Sequence, residues 1–281
     1  EEYRKLVEAQ QTDKDGEVVY LYATDKTVQY SYIEAARAKG YDVLLMDGQL
    51  DSHLMGKLES KIGHTRFVRV DSDIPERLIP KEEEAGTGLD PLQTHIATTL
   101  FRRCLPEVSD ASIIVNFESL SPAADPATLV QNEYMRRMKE MAAMQPGAGF
   151  FGSMPDNYSL VVNTAQPAVK SVIDESVEAL RSAVEPRFNE IESLNAEIAA
   201  SRAADKEKTD EEQKKQAAEE QKAKEEKVGE LRTANEKAIS DYAATRPEVR
   251  QIIDLALLRA NLLKGEELTR FINRSIELLK H

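Results

Sequence analysis

Residues 247–279 have the sequence PEVRQIIDLALLRANLLKGEELTRFINRSIELL, which predicts two apolar helices separated at Gly265. The first helix has two apolar faces that point in nearly opposite directions. One face carries Val249, Ile252, Ile253, Ala256, Ala260 and Leu263, and the other carries Leu255, Leu258 and Leu262. The second helix, from Glu266, has one broad apolar stripe made of Leu268, Phe271, Ile272, Ile276 and Leu279.

These two helices have more apolar surface than a two-helix hairpin can bury. A helix that is apolar nearly all round belongs inside a bundle, and two bundles satisfy the pattern. One is closed within the chain, and the other is a two-fold bundle closed by a second copy. The pattern alone does not choose between them.

Length and charge limit the remaining possibilities. A chain of 281 residues suggests about two domains, and 50 acidic against 37 basic residues without a basic stripe argue against a nucleic-acid partner. The single Cys104 cannot form an internal disulfide, and no signal peptide or long apolar run is present. We therefore expect a cytoplasmic protein with no membrane span. Because Glu1–Gln11 has the pattern of a helix already under way, we expect a fragment of a longer protein.

Residues 1–74 alternate short apolar strands with single helices. The predicted strands are Val18–Tyr22, Val43–Met46 and Phe67–Val70, and the predicted helices are Tyr30–Lys39 and Asp51–Ile62. Right-handed βαβ crossovers of this kind give a small parallel sheet. The expected fold class of this module is α/β, a βαβαβ unit of the three-layer αβα type.

Residues 75–90 contain Pro, Gly and an acidic run, which is typical of a linker. Residues 91–281 then predict an α+β domain: a helix at Pro91–Cys104, three short strands that we expect to form an antiparallel sheet, and further helices. We expect Pro186 to break or kink the helix that starts near Pro167. Residues 187–242 predict a charged helical insertion, a hairpin with a polar middle that is either a solvated helix or disordered.

The helix predicted after Asn132, its expected N-cap, is rich in methionine. Tyr134 and the methionines cover about half of its circumference, and Arg136, Lys139 and Glu140 lie on the other half. Methionine is usually core filler. A methionine-rich surface followed by Phe150 and Phe151 is, however, also the adaptable type that binds unrelated apolar partners. Both interpretations remain open from the residues alone.

No segment predicts an active site. Gly147–Gly152 matches G-x-G-x-x-G literally, but a helix precedes it and a strand follows it, so the dinucleotide-binding context is missing. The four histidines have no partner at helical spacing and Cys104 has no second cysteine, so we expect no metal site and no nucleophile pair. No catalytic, cofactor-binding or metal-binding residue is predicted.

Several motifs, taken in order, resemble the heat-shock protein 90 chaperone family. They are Ala38-Lys-Gly-Tyr-Asp-Val-Leu-Leu45, Tyr134-Met-Arg-Arg-Met-Lys139, Gly149-Phe-Phe-Gly152, Leu160-Val-Val-Asn163 and Gln166-Pro-Ala-Val169. The first is similar to the αβα end of the family's middle domain, and the others to its carboxy-terminal domain. The bacterial form is the closer likeness, since Leu278-Leu-Lys-His281 lacks the acidic tail of eukaryotic cytosolic members. The insertion at 187–242 departs from the better-known members.

The resemblance implies an ATP-driven dimeric clamp whose nucleotide-binding domain and catalytic arginine lie outside this chain. It implies no cofactor and no ATP hydrolysis here, with ATP and Mg bound by the full-length protein. The helix that matches Glu133–Met144 contacts client proteins in the family, which gives these candidate client-binding residues: Tyr134, Met135, Met138, Met141, Met144, Phe150 and Phe151. Residues 247–280 would form a homodimer through Ile252, Leu255, Leu258, Leu262, Leu268, Phe271, Ile272 and Ile276.

Two functions are therefore considered. The first is the dimerisation and client-binding portion of an ATP-dependent chaperone that assists protein folding under stress. The alternative is a structural coiled-coil scaffold in which residues 187–242 recruit a partner and the methionines only pack.

Overall fold

A computed structural model describes residues 2–48, 51–81, 86–108, 111–143, 155–205 and 211–279, without the side chains of 52–53, 140–143, 204–205 and 211–215. The chain divides into two compact units. The first comprises Glu1–Gly88, Pro106–Val169 and Gln251–His281, and the second comprises Leu89–Leu105 and Lys170–Arg250. This grouping differs from the division expected at residues 75–90, and the assignment of family domains stays a prediction.

The first unit contains a three-stranded parallel sheet in the order β2-β1-β3. Its strands are β1 (Val18–Ala23), β2 (Val43–Leu45) and β3 (Thr65–Arg69). Strand β1 is buried on both faces, as expected for the central strand of a parallel sheet. The parallel βαβαβ arrangement predicted from the alternating pattern is confirmed.

Helices cover both faces of this sheet. Helix α2 (Tyr30–Ala38) packs on the face of Val19 and Leu21, while α1 (Glu2–Gln11) and α3 (Asp51–Ile62) pack on the other face. The result is the predicted three-layer αβα arrangement. Part of the predicted linker is also folded, because Pro75–Leu78 forms the short helix α4 and its Leu78 is buried.

The second sheet, also in the first unit, has the order β4-β6-β5, with β4 at Ala111–Glu118, β5 at Ala127–Gln131 and β6 at Asp156–Asn163. The prediction of an antiparallel sheet was wrong, since β4 runs parallel to β6 and only β5 is antiparallel to it. Strand length and alternation do not encode strand direction. The central position of β6 is visible in the sequence, because Leu160–Val162 is a continuous apolar run that the structure buries completely.

The second unit is helical. Helix α5 (Pro91–Cys104) begins with a capping box, in which Asp90 accepts from the backbone N–H of Gln93 at 2.8 Å and the Gln93 side chain accepts from the N–H of Asp90 at 2.9 Å. Helix α7 spans Pro167–Asp205 and helix α8 spans Glu211–Ala243. Helices were expected in this part of the chain, and α7 and α8 account for most of it.

The charged insertion consists of the outer parts of α7 and α8. Ile191, Ile198 and Val228 pack together between the two helices, and Lys224 pairs with Glu197 at 2.7 Å. The predicted helical hairpin is therefore present in the described residues, with residues 206–210 outside them. Of the two outcomes expected for Pro186, a break was wrong, because α7 continues through it, and a kink stays a prediction. One missing N–H is tolerated where packing holds the helix on both sides.

The chain ends in the helices α9 (Pro247–Arg259) and α10 (Gly265–Leu278). They are separated as predicted, but the first helix ends earlier than its apolar pattern suggests. Asn261 adopts a left-handed φ of 57° and Gly265 a φ of 56°, and these two residues bound the turn. Consequently Leu262 and Leu263 lie in the turn rather than on a helix face.

Candidate functional site

Helix α6 (Glu133–Ala143) carries most of the candidate client-binding residues that the structure describes. Asn132 caps it, since its Oδ1 accepts from the backbone N–H of Met135 at 3.2 Å and its carbonyl accepts from the N–H of Arg136 at 3.1 Å. The N-cap predicted from the sequence is confirmed. This cap starts the helix directly after β5 and so fixes its first turn against the sheet region of the first unit.

The polar side of α6 faces the protein interior. Glu133 accepts from the hydroxyl of Tyr22 at 3.0 Å, from Arg136 at 2.7 Å and from Arg137 at 2.6 Å. Arg136 is only 5 % exposed, and its guanidinium lies 5.9 Å from the centre of the Tyr22 ring. Burial and the neighbouring Glu133 raise the pKa of Tyr22, so its hydroxyl stays protonated and donates. The charged half of the helix is therefore its anchored half.

The apolar side of α6 faces solvent. Tyr134 is 68 % exposed, Met135 is 40 % exposed and Met138 is partly exposed. An amphipathic helix at a protein surface ordinarily buries its apolar side, so this orientation is reversed. Met141 lies in the helix, but its side chain is outside the described residues, as are Met144, Phe150 and Phe151.

A groove of about 200 Å³ lies along this apolar side. Its walls are Gln131, Tyr134, Met135, Arg136, Met138, Lys139, Pro155, Asp156 and Asn157. On the rim, Lys139 pairs with Asp156 at 2.7 Å, and Gln131 donates to the same carboxylate at 3.3 Å. Lys139 and Asp156 thus neutralise each other on the rim. The surface that remains for a ligand is the apolar part of the groove, formed by a tyrosine and two methionines.

Helix α9 has the two apolar faces that the sequence predicted. Val249, Ile252, Ile253 and Ala256 are buried, whereas Leu255 and Leu258 are 44 % and 41 % exposed. The first face is therefore covered by this chain and the second is not. Of the candidate dimer residues on this helix, Ile252 already packs inside the protein.

Helix α10 is attached to α9 by polar contacts, and its Phe271 is buried. Arg274 pairs with the fully buried Asp254 at 2.5 Å and donates to Gln251 at 2.9 Å. The other apolar residues of the stripe remain outside, because Ile272 and Ile276 are about half exposed. Leu262 and Leu268 are partly buried. Leu255, Leu258, Ile272 and Ile276 are thus the candidate dimer residues most open to a partner.

Known proteins are similar to the whole chain. It is 42 % identical over 279 residues to the chaperone protein HtpG of Bacteroides thetaiotaomicron, 44 % identical over 285 residues to that of Porphyromonas gingivalis, and 40 % identical over 279 residues to that of Bacteroides fragilis. In each case the match covers 99 % of this chain. The chain belongs to the HtpG chaperone family.

The match covers almost all of this chain but less than half of each relative. The chain spans 41 % of the length of the relatives, which agrees with the expectation that it corresponds to part of such a chaperone. No family model matches the chain. The identity to these relatives confirms the resemblance drawn from the five short motifs, and with it the assignment to the molecular chaperones of the heat-shock protein 90 type.

The described histidines, cysteine and carboxylates were also considered as metal ligands or nucleophiles. The described residues contain no group of three or more His, Cys, Asp or Glu side chains suited to a metal ion. Burial raises the pKa of the Cys104 thiol to about 11, which makes it a poor nucleophile. Burial also lowers the pKa of His95, which packs 5.3 Å from the Phe188 ring. None of the described helices is both long and apolar enough to cross a membrane.

Sequence reasoning missed the residues that anchor α6. Tyr22 belongs to a buried strand and Glu59 to a different helix, and both lie far from Glu133 in sequence. The only signal was indirect, because a tyrosine at the end of a buried strand needs a partner for its hydroxyl. Its partner becomes identifiable only when the two sheets are placed in one unit.

Proposed function

We propose that this chain is the client-binding and dimerisation portion of an ATP-dependent chaperone that assists protein folding under stress. It holds non-native proteins by reversible burial of apolar surface, with no covalent step. The observation that carries this proposal is the reversed orientation of α6, whose polar side is anchored while Tyr134 and Met135 are exposed. Exposed apolar surface of this type is retained where it binds a partner.

Dimerisation is proposed for the exposed side of α9 and α10. Leu255, Leu258, Ile272 and Ile276 would pair with the same residues of a second copy around a two-fold axis. Obligate interfaces of this kind bury about 2,000 Å² or more in total. A stable monomer in light scattering at micromolar concentration would contradict this part of the proposal.

The nucleotide chemistry is assigned to the rest of the chaperone. We propose that this chain by itself has no ATPase activity and no cofactor, and that ATP and Mg bind elsewhere in the full-length cytoplasmic protein. Isothermal titration of ATP and Mg into this chain should give no binding heat.

Client binding is tested with a double variant, Met135→Ser with Met138→Ser. The probe is fluorescein-labelled α-lactalbumin, reduced and carboxymethylated so that it stays unfolded. Losing two thioether side chains should weaken binding about tenfold or more, because each buried apolar side chain contributes about 1.5 kcal/mol or more. Circular dichroism should be unchanged, since both side chains are partly or well exposed.

The matched control is Met46→Ser, at a methionine that packs against the core of the first sheet instead of lining the groove. It should lower stability without changing the affinity of the folded protein for the probe. Equal affinities of wild type and double variant would return α6 to the interpretation as core filler.

A further inference from the structure

Strand β3 is an outer strand of the first sheet, so its outward backbone groups need partners. The N–H of Phe67 donates to Glu59 Oε1 at 2.7 Å, and the Phe67 carbonyl accepts from Arg137 Nη2 at 2.6 Å. Two residues further on, the N–H of Arg69 donates to Glu133 Oε2 at 3.3 Å. Side chains of α3 and α6 thus occupy the place of a neighbouring strand.

The same side chains bind one another. Glu133 Oε1 accepts from Tyr22, Arg136 and Arg137, and Arg136 also donates to the Tyr22 hydroxyl at 2.5 Å. Arg137 in turn binds Glu59 Oε2 at 3.0 Å. We name Tyr22, Glu59, Glu133, Arg136 and Arg137 the edge cluster. Its two carboxylates and two guanidiniums balance in charge, which is the condition for placing them at low exposure.

Glu133 is the centre of the edge cluster. Its two oxygens accept from four donors, contributed by β1, β3 and two positions of α6 itself. Residues 133, 136 and 137 lie on one side of the helix, and Tyr134, Met135 and Met138 lie on the other. Any rotation of α6 that buried the methionines would break these contacts and leave charges unpaired.

We propose that Glu133 is the positioning residue of the apolar surface on α6, and that the edge cluster determines which side of the helix faces solvent. The inference rests on the proposed function, since the orientation of α6 matters to a client only if its exposed side binds one. Glu133 itself contacts no client. It acts by holding the first turn of α6 against the outer edge of β3.

The test is amide hydrogen exchange in the whole chain carrying Glu133→Gln, which keeps the size of the side chain and removes its charge. Exchange of the amides of Arg69 and of α6 should become at least about tenfold faster, because the charge-assisted contacts of Arg136 and Arg137 to this carboxylate are lost. Amides of β1 should be unaffected. Affinity for the unfolded α-lactalbumin probe should fall several-fold.

The matched control is Glu34→Gln. Glu34 is an exposed carboxylate on α2, in the same unit, and among the described residues its ion-pair partner is Arg37, at 3.3 Å. This variant should change neither exchange nor probe affinity. If Glu133→Gln does not fold, Tyr22→Phe provides a milder test, since it removes a single hydroxyl and keeps the ring; it should accelerate the same α6 amides by a smaller factor.

Unchanged exchange of α6 in the folded variants would overturn the proposal, as would an acceleration spread evenly over both units. Weaker probe binding with unchanged exchange would also overturn it, because Glu133 would then act in some other way. Exchange needs no client. A wild-type chain that fails to bind the probe would therefore refute the proposed function and leave the role of the edge cluster to be decided by exchange alone.

Discussion

Helices α6 and α9 both leave apolar side chains in solvent, but they are anchored by opposite means. Helix α6 is held through Glu133, Arg136 and Arg137, and this leaves Tyr134 and Met135 exposed on its apolar side. Helix α9 is held through a buried apolar face that includes Ile253, and its exposed leucines form a second face. Helix α6 exposes the apolar side that a surface helix normally buries. Helix α9 buries one apolar face and exposes a second one.

This difference predicts different uses. When a helix is anchored by its charged side, the apolar side chains on its other side are not part of a packed core. They can adapt to different partners without disturbing the fold. An apolar surface that continues a packed core is held in place by that core, which suits a permanent two-fold contact. The following experiments test this contrast in order of decreasing effect.

The largest effect is expected for Leu258→Asp on the outer face of α9. In the proposed dimer, the new carboxylate would be buried without a partner between the two copies. The dimer should therefore dissociate completely at micromolar concentration. Light scattering gives the mass directly. Thr233→Asp, the same charge change at an exposed position of α8, should leave the dimer intact. A Leu258→Asp protein that remains dimeric would show that the two copies bind through a different surface.

A comparison of Ile253→Ala with Met138→Ala tests the two anchoring modes. Ile253 is fully buried, so its truncation should lower the free energy of unfolding by about 2 to 5 kcal/mol. Met138 lies on the open side of α6, so the same truncation should cost about 1 kcal/mol or less. Urea unfolding followed by circular dichroism measures both. Equal losses would show that the methionine side belongs to the core.

The smallest effect is expected for deletion of residues 202–227, the outer part of the charged hairpin. The remaining arms still pack through Ile191 and Leu231, so the rest of the chain should fold. Affinity for the unfolded α-lactalbumin probe should stay within about twofold if α6 is the binding surface. A loss of binding would instead favour the scaffold function, in which the hairpin recruits the partner.

The sequence predicted local features well. The parallel βαβ unit followed from short apolar-rich strands that alternate with single helices, and the start of α6 followed from Asn132. The two faces of α9 followed from helical periodicity, and the structure buries one of them. Strand direction in the second sheet was predicted wrongly because connection geometry, not strand composition, sets it. The break expected at Pro186 does not occur, because packing on both sides of it outweighs one missing hydrogen bond.

Amphipathicity is a local property of the chain, so the sequence alone determined that α6 and α9 have apolar sides. Five short motifs in the sequence also indicated the family, and the relatives that are 40–44 % identical confirm it. Which side of each helix is buried was decided only by the tertiary structure. Tyr22, Glu59 and Glu133 come from distant segments, and only their meeting at the edge of β3 makes burying the charged side of α6 favourable. Periodicity specifies the faces of a helix, and long-range contacts select the face that remains in solvent.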